Sequence, residues 1–580
     1  MAELNFWQNF EGREDLKKFK NNSLLLYALQ LKYNIEDIEE VAATSLVDGN
    51  DDKKVDLVFI DIELEEAVIA QSYFSSKERK EAPSNKASDL NTGVSWLLTR
   101  DITELPERLR SVAKELREGI HSNSIKKISL WYVHNLPESE NVKQELKTVE
   151  NTSKSILNEN FYENDISDVV SLEIGINTLE DWYQSLTIPI QITEEIKFNN
   201  IDGYILKGND WESITVPIPG KILYNLYSKY GTKLFSANIR DYLGSRKADS
   251  NINNGIKETA KKSPENFYIF NNGITAIVNS FEFNSSKKEL LIKGISIVNG
   301  AQTTGSIGSL KEEPNSNLQI LAKFIKPSNP DILPLIVKFN NSQNKITAPD
   351  FRSNDPIQKR LIEEFKILPG INYSARRGGA VDIIQRNPNI LPAVTAGQVL
   401  AAFHANPDVA YNRKSKIWES DKLYSTFFNE HTTAKHIFFI YSLLKAIEDK
   451  KHYLAIKEES EEGLTDNEQT QLSFLRTRGG IIFYITSISN VIEDILNKKI
   501  ANKFSLEFCE LIDINTAKDI WYPILDVLGA FSGTLKDGLN DGIKNKQKLD
   551  SALNTFKQFV NAIKISNKAQ FEVFSSNVCS

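Results

Sequence analysis

Two short stretches place polar atoms where they would hold a ligand: Phe270-Asn271-Asn272-Gly273-Ile274-Thr275 and Ile297-Val298-Asn299-Gly300-Ala301-Gln302-Thr303-Thr304. Each sets Asn-Gly against an apolar, β-branched run. Gly273 and Gly300 permit backbone conformations closed to other residues and let a ligand approach closely. A strand ending at Val298, a turn, and a helix from Thr304 would aim free N–H groups outward, a layout that binds anions. Such helix-end effects are worth about 0.3–1 kcal/mol at exposed sites. Thr303 and Thr304 add hydroxyls, and Gln302 an amide. Downstream lie the polar cluster Asn340-Asn341-Ser342-Gln343-Asn344 and the run Arg376-Arg377-Gly378-Gly379. Arginine grips planar oxyanions with two parallel hydrogen bonds. The plainer alternative is that the Asn side chains tie turns to backbone and that residues 340–344 satisfy a buried polar network.

A second set of reactive side chains sits nearer the start. Asp56 follows the polar run Asp48-Gly49-Asn50-Asp51-Asp52, and Gln71-Ser72-Tyr73 close a later apolar stretch. An acidic residue on one strand, then Glu or Gln two residues before Lys on the next, resembles the PD-(D/E)xK nucleases. In that chemistry carboxylates hold Mg²⁺ or Mn²⁺ against the scissile phosphate, and the lysine positions or deprotonates the attacking water. The resemblance implies Asp56, Gln71, Glu40 and Lys77 as the catalytic set, with Asp56 and Glu40 (or Glu39) on the metal. Tyr73, however, stands where the lysine belongs. Gln71 and Tyr73 share one face of a strand, because side chains alternate. Lys77 has the same parity but lies about 13 Å further along a continuing strand; it and Lys80 reach the site only if the chain turns back. The alternative is that Asp56 merely ends a loop and Gln71 is an ordinary half-buried polar residue.

These residues need a scaffold. Residues 14–33 and 35–41 are helical in pattern; 55–61 and 67–74 read as strands joined by an acidic turn at 63–66. A helix over 105–119, an aromatic strand over 128–133, a helix near 142–157 and a strand near 169–174 follow. That predicts a compact α/β domain over 1–160. The middle, 165–385, reads as mixed: helices over 220–230, 334–340 and 356–365, strands over 290–298 and 318–324. Residues 386–580 read as mainly helical, with apolar residues three and four apart over 437–446, 480–496, 517–528 and 549–565. The acidic stretch 458–471 reads as a solvated loop. Trp211, Tyr224, Tyr227, Phe235 and Tyr242 read as core rather than as base-stacking residues.

At 580 residues, several domains are required. Hydrophobic content of 41% with 25% charged residues fits a soluble globular chain, and no apolar run is long enough to cross a bilayer. The first 13 residues lack the pattern of a secretory signal. Two cysteines are too few for a disulfide framework, so a reducing, cytoplasmic setting fits. The six histidines show no metal-ligand spacing. A net charge of −8 argues against a nucleic-acid binder over its whole surface but leaves room for a local basic groove.

The blocks also occur in a telling order: 234–244 with Asn238 and Arg240, then 265–275, then 297–303, then 339–346, with Asp350 and Asp355 behind. This series resembles the AIPR family, the abortive infection phage resistance proteins of bacteria, strongly over 220–380 and more weakly in the N-terminal section. The resemblance implies a multidomain α/β and α+β protein: a restriction-endonuclease-like N-terminal domain, a mixed AIPR core, and a mainly α-helical C-terminal domain. It implies phosphate contacts from Arg240, Asn271, Asn272, Asn299, Gly300, Gln302, Thr303, Asn340, Asn341, Gln343, Arg376 and Arg377. The 298–304 turn also looks like that of the ParB/sulfiredoxin nucleotide-binding fold. There an arginine closely follows the glycine; here Thr303 takes that place, and Arg240, Arg352, Arg376 or Arg377 would supply the cation. Two functions compete: a metal-dependent nuclease acting in antiphage defence, and a non-catalytic sensor binding nucleic acid or a nucleotide, with helices that hold partners or form a homo-oligomer. A phage-derived trigger is expected of either. Nucleotide hydrolysis, with Asp350 or Asp355 on a metal, ranks last because no P-loop supports it.

Overall fold

The computed structural model describes all residues except 1–3, 48, 50, 78, 162–165, 167, 188–189, 191, 236–247, 330–331, 334, 337–351, 354, 376–383, 385–388 and 541. Arg240, Asn340, Asn341, Gln343, Arg376 and Arg377 lie outside the described residues, as do Tyr242, Asp350 and most of the helix expected over 334–340.

The N-terminal section, the head, is a four-stranded sheet between two layers of helix. Its strands β1 (Leu57–Asp61), β2 (Glu66–Tyr73), β3 (Lys127–His134) and β4 (Asp168–Ile174) lie in chain order. β1 and β2 form an antiparallel hairpin; β2, β3 and β4 run parallel. Parallel neighbours need crossovers, and the helices Ser84–Thr99, Glu107–His121 and Glu140–Asn160 supply them. Val58, Ile69, Leu130 and Val169 face these helices. Leu57, Ala70, Trp131 and Leu172 face the other way, onto Ser23–Tyr33 and Ile176–Thr187. The expected strands are all present. The helical pattern over 14–33 is broken into Glu14–Lys17, a short 3₁₀ turn at Lys20–Asn22, and Ser23–Tyr33.

The middle section is a seven-stranded sheet: β5 (Ile192–Asn199), β6 (Tyr204–Lys207), β7 (Trp211–Pro219), β8 (Ile274–Ile277), β9 (Ser280–Asn284), β10 (Glu289–Asn299) and β11 (Gln319–Pro327). The order is β5-β10-β8-β11-β7-β6, with β9 also paired to β10. Phe198, Ile297, Ala322 and Phe324 form its core with Phe235, while Tyr224 and Tyr227 pack on that core half-buried. Those aromatic residues are therefore spent on packing.

The third section is helical. Ala434–Glu458 and Gly480–Leu496 run through its middle, flanked by Ala393–Phe403, Ile514–Gly529 and Lys546–Ile563. Its apolar core extends back to Leu361, Phe365 and Tyr373, so Pro356–Phe365 packs with the helices. The stretch 458–471 is only half a loop. A helix starts at Asp466, because Thr465 and Glu468 close a capping box in which each side chain meets the other's backbone N–H. The two cysteines are joined, Cys509 to Cys579, across 70 residues. This staples the two-residue pair Glu507–Phe508 and Val578–Cys579. Such a bridge suits oxidising surroundings, so the cysteines do not argue for a reducing compartment. Among the described residues no single helix is long and apolar enough to cross a membrane.

Head and tail meet through polar contacts. Lys445 lies between Asp37 (3.1 Å) and Glu448 (2.9 Å); Gln398 Nε2 donates to Glu40 (3.0 Å), and Arg478 pairs with Glu115.

Candidate functional site

The hairpin places Asp56 just ahead of β1, opposite the end of β2. Its N–H donates to the Ala70 carbonyl (2.9 Å) and its own carbonyl accepts from Val47 N–H (2.9 Å), which fixes the backbone on both sides. Its carboxylate accepts from the Ser72 N–H (2.6 Å) and meets the Ser72 hydroxyl (2.8 Å). That hydroxyl also lies 2.9 Å from the Asn22 amide. The Asn22 atom it meets is the amide oxygen, an acceptor, so Asp56 and Asn22 Oδ1 compete for the single hydroxyl proton. Asp56 is 9% exposed. Gln71, on the face that Asp56 adjoins, is 3% exposed, and its Oε1 has no hydrogen-bond partner among the described residues.

The other members of the expected catalytic set do not join them. Tyr73 packs on the apolar layer beneath the crossover helices. Burial, then the neighbouring Tyr73 and Glu173, push the Tyr132 phenol up. Past Tyr73 the chain stays alongside β3: Ser75 N–H donates to Asn135 Oδ1 (2.7 Å), and Lys77 N–H to Ser75 Oγ (3.3 Å). Lys77 is exposed beyond the end of the strand. Glu40 is in the first turn of Ile38–Ser45, whereas the other end of that helix leads into Val47 and Asp56; Gln398 holds its carboxylate. Glu39 pairs with Lys18 (2.6 Å) and Lys445 (3.4 Å). One carboxylate and one amide oxygen are a poor match for Mg²⁺, which binds through carboxylates with near-ideal octahedral geometry. No group of three His, Cys, Asp or Glu suited to a metal occurs among the described residues.

A polar row that the sequence does not reveal lies at the same sheet end. Gln71, Tyr132 and Glu173 are aligned across β2, β3 and β4, with His134 next to them opposite Tyr73. His134 Nε2 lies 3.1 Å from Glu173, and its Nδ1 accepts from Leu136 N–H (3.3 Å), so the ring is held as the Nε2–H tautomer. It is fully buried. Strand-end spacing was the only available signal.

The two Asn-Gly stretches do come together. β8 and β10 are antiparallel, with Thr275 opposite Asn299. This sets Gly273, just before β8, against Gly300, just after β10. Both have positive φ, +75° and +91°. A Cβ on Gly300 would sit 2.5 Å from the Gly273 carbonyl, and one on Gly273 would sit 2.0 Å from that of Leu321. Asn271 ties the stretches: its Oδ1 accepts from Gly273 N–H (2.9 Å) and from the Thr303 hydroxyl (3.0 Å). Gly300 caps the helix Ala301–Gly308, and its carbonyl accepts from both the N–H and the hydroxyl of Thr304, each at 2.9 Å. Thr303 and Thr304 are 5% and 0% exposed. Their hydroxyls therefore build the turn instead of facing a ligand. Asn272 and Asn299 are exposed, and Gln302 is half-buried at the helix start.

The family described as "AIPR protein" matches residues 235–569, which takes in both Asn-Gly stretches and nearly all of the helical section. No curated protein and no solved structure matches the chain. The family match covers more than half of the 580 residues. On that match the chain belongs to the AIPR family.

Proposed function

We propose that this protein serves antiphage defence as a binding and sensing protein, with a head that keeps a nuclease-like strand order and has lost the cutting set. Membership of the AIPR family suggests an abortive-infection role. A β-hairpin followed by two parallel strands with helical crossovers accords with a restriction-endonuclease-like head. The observation that carries the reading is the state of Asp56. Its carboxylate is engaged by the N–H and hydroxyl of Ser72. Tyr73, at the lysine position, is packed against apolar neighbours. Nucleic acid is the ligand class this reading assigns to the head.

The test incubates the full chain with DNA and with RNA, with and without Mg²⁺ or Mn²⁺, beside Asp56→Asn. The expected result is retention of nucleic acid without metal-dependent cleavage, and phage protection that survives Asp56→Asn. Cleavage by the parent protein that Asp56→Asn abolishes would overturn the proposal, as would failure to retain either nucleic acid.

A further inference from the structure

A cation-lined cleft of about 290 Å³ lies between the head and the helical tail. Leu46, Val47 and Val112 of the head form its apolar side. The helix Ala434–Glu458 and the segment after Asp466–Arg476 form the other side and bring Lys451, Arg476 and Arg478 together.

The cations here outnumber their partners. Arg476 is bidentate on Glu458 (2.9 and 2.7 Å), and Arg108 shares that carboxylate at 3.1 Å. Arg478 pairs with Glu115 and donates to the Thr44 carbonyl (2.7 Å). Lys451, half-buried, donates to the Ala43 carbonyl and makes no ion pair among the described residues. At the rim Lys20 is exposed and likewise unpaired. The acids facing the cleft are otherwise occupied or outside. Glu39 holds Lys18 and Lys445, Asp449 holds Lys518 (2.7 Å), and Glu459 is exposed. Glu448 is 6% exposed, and its Oε1 is buried without a partner on the cleft wall.

Lys451 is half-buried and repelled by Arg476 and Arg478. Burial and the two arginines push the Lys451 ammonium down to about 7, while burial pushes Glu448 up to about 8. An oxyanion would pair with Lys451 and share Arg476 and Arg478 with the carboxylates they already hold. The volume is near the lower end of the range for small-molecule pockets, about 300–1,000 Å³, so it suits a small molecule better than a strand. Aromatic and apolar lining in the same cleft suits a base: Phe19 and His452 pack edge to face at 5.4 Å, and Ile456 lies on the helix of His452.

We infer that this cleft binds a mononucleotide polyphosphate, with the phosphates on Lys451, Arg476 and Arg478 and the base toward Phe19, His452 and Ile456. The site adjoins Asp56 indirectly, since Asn22 and Val47 line the cleft and also bond to Ser72 and Asp56. It does not depend on nucleic-acid binding by the head, so either proposal can fail alone.

The test is calorimetric titration of the full chain with ATP, pyrophosphate and adenosine. ATP is expected to bind at least 10-fold more tightly than pyrophosphate, and adenosine more weakly still. Lys451→Met should weaken ATP at least 10-fold, and Lys451→Arg by less. Should Lys451→Met fail to fold, Lys20→Ala at the exposed rim is expected to weaken ATP 2- to 5-fold. ATP binding by the parent protein is also expected to tighten between pH 8 and pH 6. Absence of ATP binding, pyrophosphate binding as tightly as ATP, or ATP affinity indifferent to the Lys451 and Lys20 changes would overturn the assignment.

Discussion

Asn271→Ala tests whether the family's Asn-Gly stretches are first of all a structural clasp. The change removes two accepted hydrogen bonds, from Gly273 N–H and from the Thr303 hydroxyl. Each is worth about 0.5–1.5 kcal/mol. Thr303 is 5% exposed, so its hydroxyl is left poorly solvated, a further cost of about 1–3 kcal/mol when a buried group loses its partner. Since these terms overlap, the expected loss is about 2–4 kcal/mol. Asn271→Asp keeps an oxygen in place for both donors and should cost less than about 1 kcal/mol. The assay is urea unfolding of the full chain, read as a shift of midpoint at unchanged slope, with amide exchange at Gly273 as the local measure. At 1.4 kcal/mol per tenfold, Asn271→Ala should accelerate that exchange by roughly 30-fold or more. Unchanged exchange in Asn271→Ala, or equal damage from Asn271→Asp, would refute the clasp. Because Asn271→Asp preserves the turn while adding a negative charge, it also separates folding from any anion binding nearby.

Gly300→Ala should be at least as damaging. The residue has φ +91°, a conformation costing an L side chain about 1–2 kcal/mol, and its new Cβ would press on the Gly273 carbonyl; a urea midpoint equal to the parent's would contradict this. Lys451 should make stability rise with pH. Its native pKa of about 7 lies below the ordinary 10.5, so between those values the unfolded chain holds a proton that the folded one has released. The contribution of this group, unfavourable in the charged form beside Arg476 and Arg478, is relieved over that window by up to about 1.4 kcal/mol per pH unit. Lys451→Met should abolish the rise, so the stability difference between variant and parent, measured at pH 7, 8 and 9, should change with pH; a constant difference would refute it.

The head's strands were legible because apolar, β-branched runs between turn residues leave few other options. The helix Ser84–Thr99 was not, although Ala87, Leu90, Val94 and Leu97 form a buried stripe at helical spacing. Asn, Ser and Thr dilute its propensity, and Gly93 is present because a Cβ there would meet Val55 at 2.2 Å, a tertiary fact. Gly273 and Gly300 could be read as turn positions from sequence. The Asn271–Thr303 bond could not, since it spans 32 residues and exists only once β8 and β10 pair. Arg476, Arg478 and Lys451 were likewise invisible as a set, because the head completes the cleft they line. The start of the helix at Asp466 was written in Thr465-x-x-Glu468, but the acidic composition around it outweighed that signal.

The helix Ile38–Ser45 bears on the expectation that a helix of the head would offer a carboxylate to a metal beside Asp56. Here its acids face the tail instead: Glu39 toward Lys445 and Lys18, Glu40 toward Gln398, and Asp37, its N-cap, toward Lys445. Lys445 and Asp37 are 7% and 4% exposed. Breaking such a buried pair costs about 3–5 kcal/mol, though the intact pair adds little net stability over apolar contacts. Its contribution is therefore to orientation, with a charged set that accepts one docking of head on tail and penalises others. A carboxylate committed to that interface cannot also ligate a metal beside Asp56. The same docking creates the cationic cleft, so Asp37, Glu39 and Glu40 hold together the two surfaces that line it.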